Sequence, residues 1–330
     1  MVGAANTLNQ PDRYRWVLNQ DIWEEVSSVL GELGAKYGAV SLSHLPEIRN
    51  RIEGLRERGM LDRDLQREYL GGFRFQVPSR IPGAKAVIVV AYPHPQHTVR
   101  IRAGGKSLDL TIPPTYILYR KREREILACI SGVLGRAGFG VLPTGDDPLP
   151  LKMLAARSGL GEYGRNNICY VPGFGSFHRL AGFYTDLPLA EDNWREPRVM
   201  AECRDCERCM RACPSGAISD DRFLLHAERC LTFHSERTDP FPDWIDTSWY
   251  TCLVGCMACQ RACPENRDVL EYREEALDLS DEETEDIMNI PYEGLPRGLR
   301  DRIEDVDMEW LMDVLPRNMR ILLEKMARKS

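Results

Sequence analysis

The chain lacks a long uninterrupted apolar run, a basic and apolar leader at its start, and an excess of positive charge. Its 330 residues carry 43 Lys and Arg against 50 Asp and Glu, a net charge of −7. That balance argues against a broadly cationic nucleic-acid surface. The most apolar stretch, Ile126 to Pro143, is broken by Arg136 and by Gly132, Gly135, Gly138 and Gly140. It reads as a helix end, a turn and a strand, too interrupted to span a membrane. The opening Met-Val-Gly-Ala-Ala-Asn has no export-signal pattern. The expectation from these absences is a cytoplasmic protein with no membrane contact. A dinucleotide fingerprint is missing in substance. Gly159, Gly161 and Gly164 spell G-x-G-x-x-G, but a helix precedes them and a strand follows, the reverse of the required order.

Cysteine is scarce outside one stretch. Nine of the eleven lie between 203 and 263, leaving Cys129 and Cys169 elsewhere as expected core residues. Such crowding in a chain of this size points to metal in a reducing compartment and away from a disulfide framework. The first run is Cys203-x2-Cys206-x2-Cys209-x3-Cys213-Pro214, the spacing by which bacterial-type ferredoxins hold [4Fe–4S] clusters. The second is Cys256-x2-Cys259-x3-Cys263-Pro264. A zinc site would use one four-ligand set without two C-x3-C-P endings. Crossed ligation gives one cluster to Cys203, Cys206, Cys209 and Cys263, and the other to Cys213, Cys256 and Cys259. The second cluster needs one more thiolate, and spacing leaves Cys230 and Cys252 both open.

The period of apolar residues predicts a helix over 21–37 capped by Asp21, another over 45–60, and a long one over 114–134. Ala84 to Tyr92 reads as a buried strand, followed by a loop whose His94 and His97 are expected to face solvent. A short helix over 151–158 ends at Gly159. Residues 168–171 and 178–185 read as a hairpin, and 190–198 as a domain boundary. Residues 267–277, 280–288, 308–314 and 317–326 read as helices. The Ser280-Asp-Glu-Glu283 capping box opens the second of these. The glycines at 159, 161 and 164, beside Arg165 and Asn166, make a loop whose backbone can approach a large ligand.

The order of these pieces resembles the epoxyqueuosine reductase family over roughly residues 80–270. The matching residues are Gly159-Leu-Gly161-Glu-Tyr-Gly164-Arg165-Asn166, Gly175-Ser-Phe177, Asp186-Leu-Pro, the Cys203 run with Pro214-Ser-Gly-Ala-Ile218, Arg229-Cys230, and Gly255-Cys256-x-x-Cys259-Gln-x-x-Cys263-Pro264. That family, related to reductive dehalogenases, reduces the epoxide of a modified tRNA nucleoside with cobalamin and two [4Fe–4S] clusters. The resemblance implies a nitroreductase-like α/β core over 1–195, a two-cluster ferredoxin-like module over 196–270 and a helical extension over 271–330. It also implies that Cys230 completes the second cluster, that the 159–166 loop binds cofactor, and that a ferredoxin- or flavodoxin-type donor supplies low-potential electrons. The family's proton-donating aspartate falls at Gly145, so Asp146 and Asp147, next in line, are the catalytic candidates. The family's Gly-x-Asp-Tyr-His signature is replaced by Pro114-Thr-Tyr116-Ile-Leu-Tyr119-Arg120, and the Asp-x-His-x-x-Gly corrinoid signature is absent. The expectation is a paralogous reductase acting on a small molecule or modified nucleoside, with tRNA not favoured by charge. The alternative is an electron-transfer or reductive-activation protein for a partner enzyme.

Overall fold

The computed structural model describes residues 10–328. Its centre is a four-stranded antiparallel sheet in the order β1-β2-β8-β5. Here β1 is Lys36–Ser41, β2 is Ala86–Pro93, β5 is Val141–Pro143 and β8 is His178–Thr185. The β-branched run of β2 is buried on both faces because helices cover each side. On one side Ile88 and Val90 pack against Val26 and Leu30 of α1 (Gln10–Glu32) and Ile126 and Ile130 of α4 (Arg120–Arg136). On the other, Val87 and Val89 meet Ile48 of α2 (Leu45–Glu57) and Leu154 of α5 (Leu151–Ser158). A short α3 (Arg63–Glu68) follows α2, capped by Asp62.

A second sheet, in the order β4-β3-β9, was not foreseen. β3 (Gln96–Ala103) and β4 (Lys106–Ile112) form a hairpin through Gly104 and Gly105, both with φ near +60° to +74°. β9 (Arg273–Asp278) runs parallel to β3, in place of the helix expected over 267–277. Val99, Ile101, Leu110 and Ile112 on this sheet bury against α9 (Asp281–Asn289), α10 (Arg297–Asp305) and α11 (Leu315–Ala327), chiefly Ile287, Ile303, Leu315 and Met319. The capping box of α9 forms as expected. Of the 308–314 segment, Glu309–Leu311 is a single tight 3-10 turn.

Other expectations shift. Asp21 lies inside α1, so it caps nothing, and Tyr37 belongs to β1. The long helix starts at Arg120 because Thr115 and Leu118 take positive φ, which ends helical geometry ahead of it. Residues 168–185 are no hairpin. β7 (Cys169–Tyr170) pairs with β6 (Glu162–Tyr163), while β8 inserts between β2 and β5. His94 and His97 are buried at 3% and 0% exposure, since β3 begins at Gln96 and leaves no free loop around them. Cys129 is half-buried. No helix among the described residues is long and apolar enough to cross a membrane.

Candidate functional site

The cysteine segment contains three short helices, α6 (Arg208–Ala212), α7 (Leu231–Ser235) and α8 (Ala258–Arg261). α6 and α8 pack on each other. Each is followed by a cysteine in extended conformation, Cys213 at φ −76°, ψ 108° and Cys263 at φ −79°, ψ 123°. The following prolines impose that conformation, because their rings exclude a helical residue in front of them. The last cysteine of each run therefore leaves its own run.

The thiols sort into two neighbourhoods. Burial and then the thiols of Cys203, Cys263 and Cys206 push Cys209 up to about 11. Burial raises Cys203 too, with Cys263 and Cys206 adding to it. In the other neighbourhood, burial pushes Cys256 up to about 12, followed by Cys252, Cys230 and Cys213. Burial likewise raises Cys259, with Cys256, Cys230 and Cys213 next. Cys213, Cys230, Cys256 and Cys259 line one cleft of about 480 Å³. Cys252 does not. It is fully buried, packed with Phe177 and Met257. No three His, Cys, Asp or Glu side chains among the described residues converge as on a single ion. A cubane does not ask for that, since each thiolate binds a different iron.

The rest of the cleft wall comes from the α/β half. Thr115 and Tyr116 enter from the segment before α4, Lys152 from α5, Asn166 and Asn167 from the following loop, and His178 from β8. Burial pushes His178 down to about 4, so its ring is neutral at pH 7, with Nδ1 facing the Gly175 carbonyl at 3.1 Å. Lys152 meets solvent within the cleft yet is ringed by protein. Its ammonium donates to the Asn167 carbonyl at 2.8 Å. Loss of water holds it below the usual lysine range, while neighbouring Cys169 pulls the other way. Tyr116 donates to Glu236 and stacks on Trp310, with centroids 5.9 Å apart.

The glycine loop is closely packed against the protein on its Cβ side. A Cβ on Gly161 would sit 2.6 Å from the Tyr170 carbonyl oxygen, and one on Gly164 would sit 2.6 Å from Asn166 Oδ1. Gly159, at φ +77°, faces the Arg195 guanidinium. These faces are filled by the protein's own packing. Arg165 donates to the Cys203 carbonyl at 2.7 Å and so ties the loop to the first cysteine run. Of the five loop residues, Asn166 reaches the cleft. Gly161→Ala is expected to cost about 1–3 kcal/mol through overpacking against fixed backbone, read as a lowered denaturation midpoint. Asp146 and Asp147 lie outside the cleft wall, where Arg80 holds them at 2.7 Å and 3.4 Å. Lys152 was missed from sequence. In the sequence it is one of two cations, with Arg157, in the otherwise mostly apolar helix α5.

Comparison with known proteins follows this geometry. Residues 202–266 match the 4Fe-4S double cluster binding domain family. An epoxyqueuosine reductase of Cyclobacterium marinum is 30% identical over 200 residues, covering 59% of this chain and 63% of the relative. A tetrachloroethene reductive dehalogenase of Desulfitobacterium hafniense is 32% identical over 188 residues, covering 56% of this chain and 33% of that one. The chain thus spans less than two thirds of either relative. In fold it is similar to the epoxyqueuosine reductase of Bacillus subtilis, solved with its catalytic loop swung out of the active site. That structure has a TM-score of 0.66 and 22% identity, covering 94% of this chain and 82% of that one. The chain is a homologue of the epoxyqueuosine reductases, carrying a 4Fe-4S double cluster binding domain.

Proposed function

We propose that this protein is an iron–sulfur reductase, with one [4Fe–4S] cluster on Cys203, Cys206, Cys209 and Cys263 and a second on Cys213, Cys230, Cys256 and Cys259. The observation that carries this reading is the single cleft onto which four thiols from three separate segments open beside a lysine, two asparagines and a neutral histidine. The clusters would supply single electrons from a low-potential ferredoxin- or flavodoxin-type donor. A corrinoid held at this cleft would meet the uncharged Thr115, Asn166, Asn167 and Ser176, polar groups suited to a macrocycle edged with carboxamides. When bound it would supply the two-electron reductant that single-electron clusters cannot. The chain's own part is positioning, exclusion of water and proton supply. The α/β half would then be the nitroreductase-like core of this reductase.

Proton supply falls to Lys152, the cation on the cleft wall, whose ammonium is held by the Asn167 carbonyl at 2.8 Å and sits below the usual lysine range. Delivery by Asp146 or Asp147 would require their loop to release Arg80 and swing inward. Lys152→Met is expected to lower turnover by about 10²-fold or more with iron content unchanged, while Asp146→Asn with Asp147→Asn leaves turnover near wild type. The reverse pattern would assign the proton to the loop.

Two of the four cations in the first turns of α4 are neutralised by neighbouring acids. Arg120 pairs with Glu309 and Asp307, and Arg122 with Glu125. A small molecule or modified nucleoside is the substrate this reading expects. Anaerobic purification followed by iron, sulfide and cobalt analysis tests the whole reading. About eight irons per chain with a retained corrinoid support it. Eight irons without corrinoid affinity shift the function to electron transfer for a partner enzyme.

A further inference from the structure

A second cavity, of about 650 Å³, adjoins the cleft and shares Lys152, Asn167 and Leu225 with it. The reductase mechanism gives it no task. Its walls are the inner faces of α2 and α3, the start of α5, and the segments on either side of the first cysteine run. Leu55, Leu61, Leu65, Leu70, Phe73 and Met153 make them apolar. Three cations stand at its edge, namely Arg51, Lys152 and Arg198. Asp62 is the acid in the lining, and its Oδ1 is occupied in capping α3 through the Leu65 N–H at 2.9 Å. Arg51 reaches only the exposed Glu196, at 3.7 Å, and Arg198 makes no ion pair among the described residues. Phe223 and Val199, also in the lining, are 43% and 45% exposed and so leave apolar surface at the mouth. Phe223 meets Tyr163 edge-on, with centroids 5.3 Å apart.

We infer that this cavity is the substrate chamber, and that it takes an organic anion with an apolar, aromatic or alkyl body. The inference rests on the reductase reading of the adjoining cleft and specifies its substrate class. The size suits a drug-sized molecule. A nucleoside fits the walls poorly, because its ring nitrogens and sugar hydroxyls would be stripped of water against leucine and phenylalanine without partners. An apolar body loses nothing there, and its anionic group meets Arg198 or Arg51 at the rim. The shared Lys152 then places the opposite end of the molecule at the cleft, where electrons arrive.

The test uses binding, on full-length protein purified without oxygen. The probe is 8-anilinonaphthalene-1-sulfonate, with the uncharged N-phenyl-1-naphthylamine as its control. The expected result is one sulfonate bound per chain, more tightly than the neutral control. Leu65→Trp, which fills the chamber, should weaken it about tenfold. Arg198→Ala, at the rim and outside the core, should weaken the sulfonate about fivefold and leave the neutral control unmoved. Equal binding of both probes to wild type, or indifference to both substitutions, overturns the inference. Displacement of the probe by added cobalamin overturns it too, since the chamber would then house a corrinoid tail. Iron content on the same preparation separates the two readings. Failed probe binding with about eight irons retained sinks the chamber alone, whereas absent iron sinks the reductase.

Discussion

Cys230→Ala is expected to halve the iron of anaerobically purified protein, from about eight to about four per chain, while Cys252→Ala leaves it near eight. The two thiols lie on either side of the same neighbourhood, and their surroundings separate them. Cys230 opens on the cleft beside Cys213, Cys256 and Cys259. Cys252 is nearer Cys256 in sequence and raises its pKa, but its side chain is sealed between Phe177 and Met257. Moving Cys252 into the cleft would open that packing, whereas Cys230 needs no movement. Removing the Cys252 sulfur should cost only about 1 kcal/mol of packing. Removing Cys230 leaves three thiolates for four irons, and a cluster so held is lost on gel filtration. Electron paramagnetic resonance of the dithionite-reduced protein reads the same difference, as loss of one signal in Cys230→Ala and retention of both in Cys252→Ala. The opposite pattern would move the fourth ligand to Cys252.

Acid should destabilise the protein well before its carboxylates titrate. Burial pushes His94 down to about 4, helped by the Arg179 guanidinium, and burial pushes His97 down to about 3, helped by His94. Neither ring nitrogen of His97 has a protein partner, and the two rings lie 5.2 Å apart. In the unfolded chain both take up a proton near pH 6.5, so between 6.5 and about 4 the unfolded state binds more protons than the native one. Their contribution is therefore fully present above pH 6.5 and is lost progressively as pH falls toward the folded values. At pH 5 the loss is on the order of 2 kcal/mol for each ring. Denaturant unfolding of wild type and His97→Leu at pH 7.5 and pH 5.0 checks this. The variant should lose about 2 kcal/mol less across the interval, and equal losses would mean His97 is hydrated in the native state.

The histidines also show where sequence reading stops. His94 and His97 flank a proline and look like a polar loop, a reading that holds only if the chain stays open there. Burial depends on β3 starting one residue earlier than His97, and His97 is placed by its partners Ile112 on β4 and Glu274 on β9, 15 and 177 residues further along. β9 escaped for the same reason. Arg273-Glu-Glu-Ala-Leu-Asp has helix-forming composition, and only the edge of β3 makes it a strand. What was legible was local or covalent in origin. The β2 run, the 45–57 and 151–158 helices and the α9 capping box carry their signals within a few residues. The cysteine spacing was legible because a cluster imposes it directly. The glycines of the 159–166 loop signalled close approach, here to Tyr170 and Arg195, but glycine alone does not say what else lies against the loop. Lys152 was invisible, since a single lysine on a helix becomes chemistry only when a cleft forms around it.

The parallel pairing of β9 with β3 bears on how the molecule is made. When a ribosome has released residue 112, β3 and β4 can already pair, yet one edge of β3 waits for residues 273–278. Through that interval, which includes both cysteine runs, Val99 and Ile101 lack the helices that later cover them. A nascent chain with an open strand edge and a bare apolar face is the species that pairs with a neighbour. Completion of the second sheet thus comes late in synthesis, after the cysteines have emerged, and the helices that cover it come later still. Iron–sulfur loading and chaperone capture would then compete for the same unfinished intermediate.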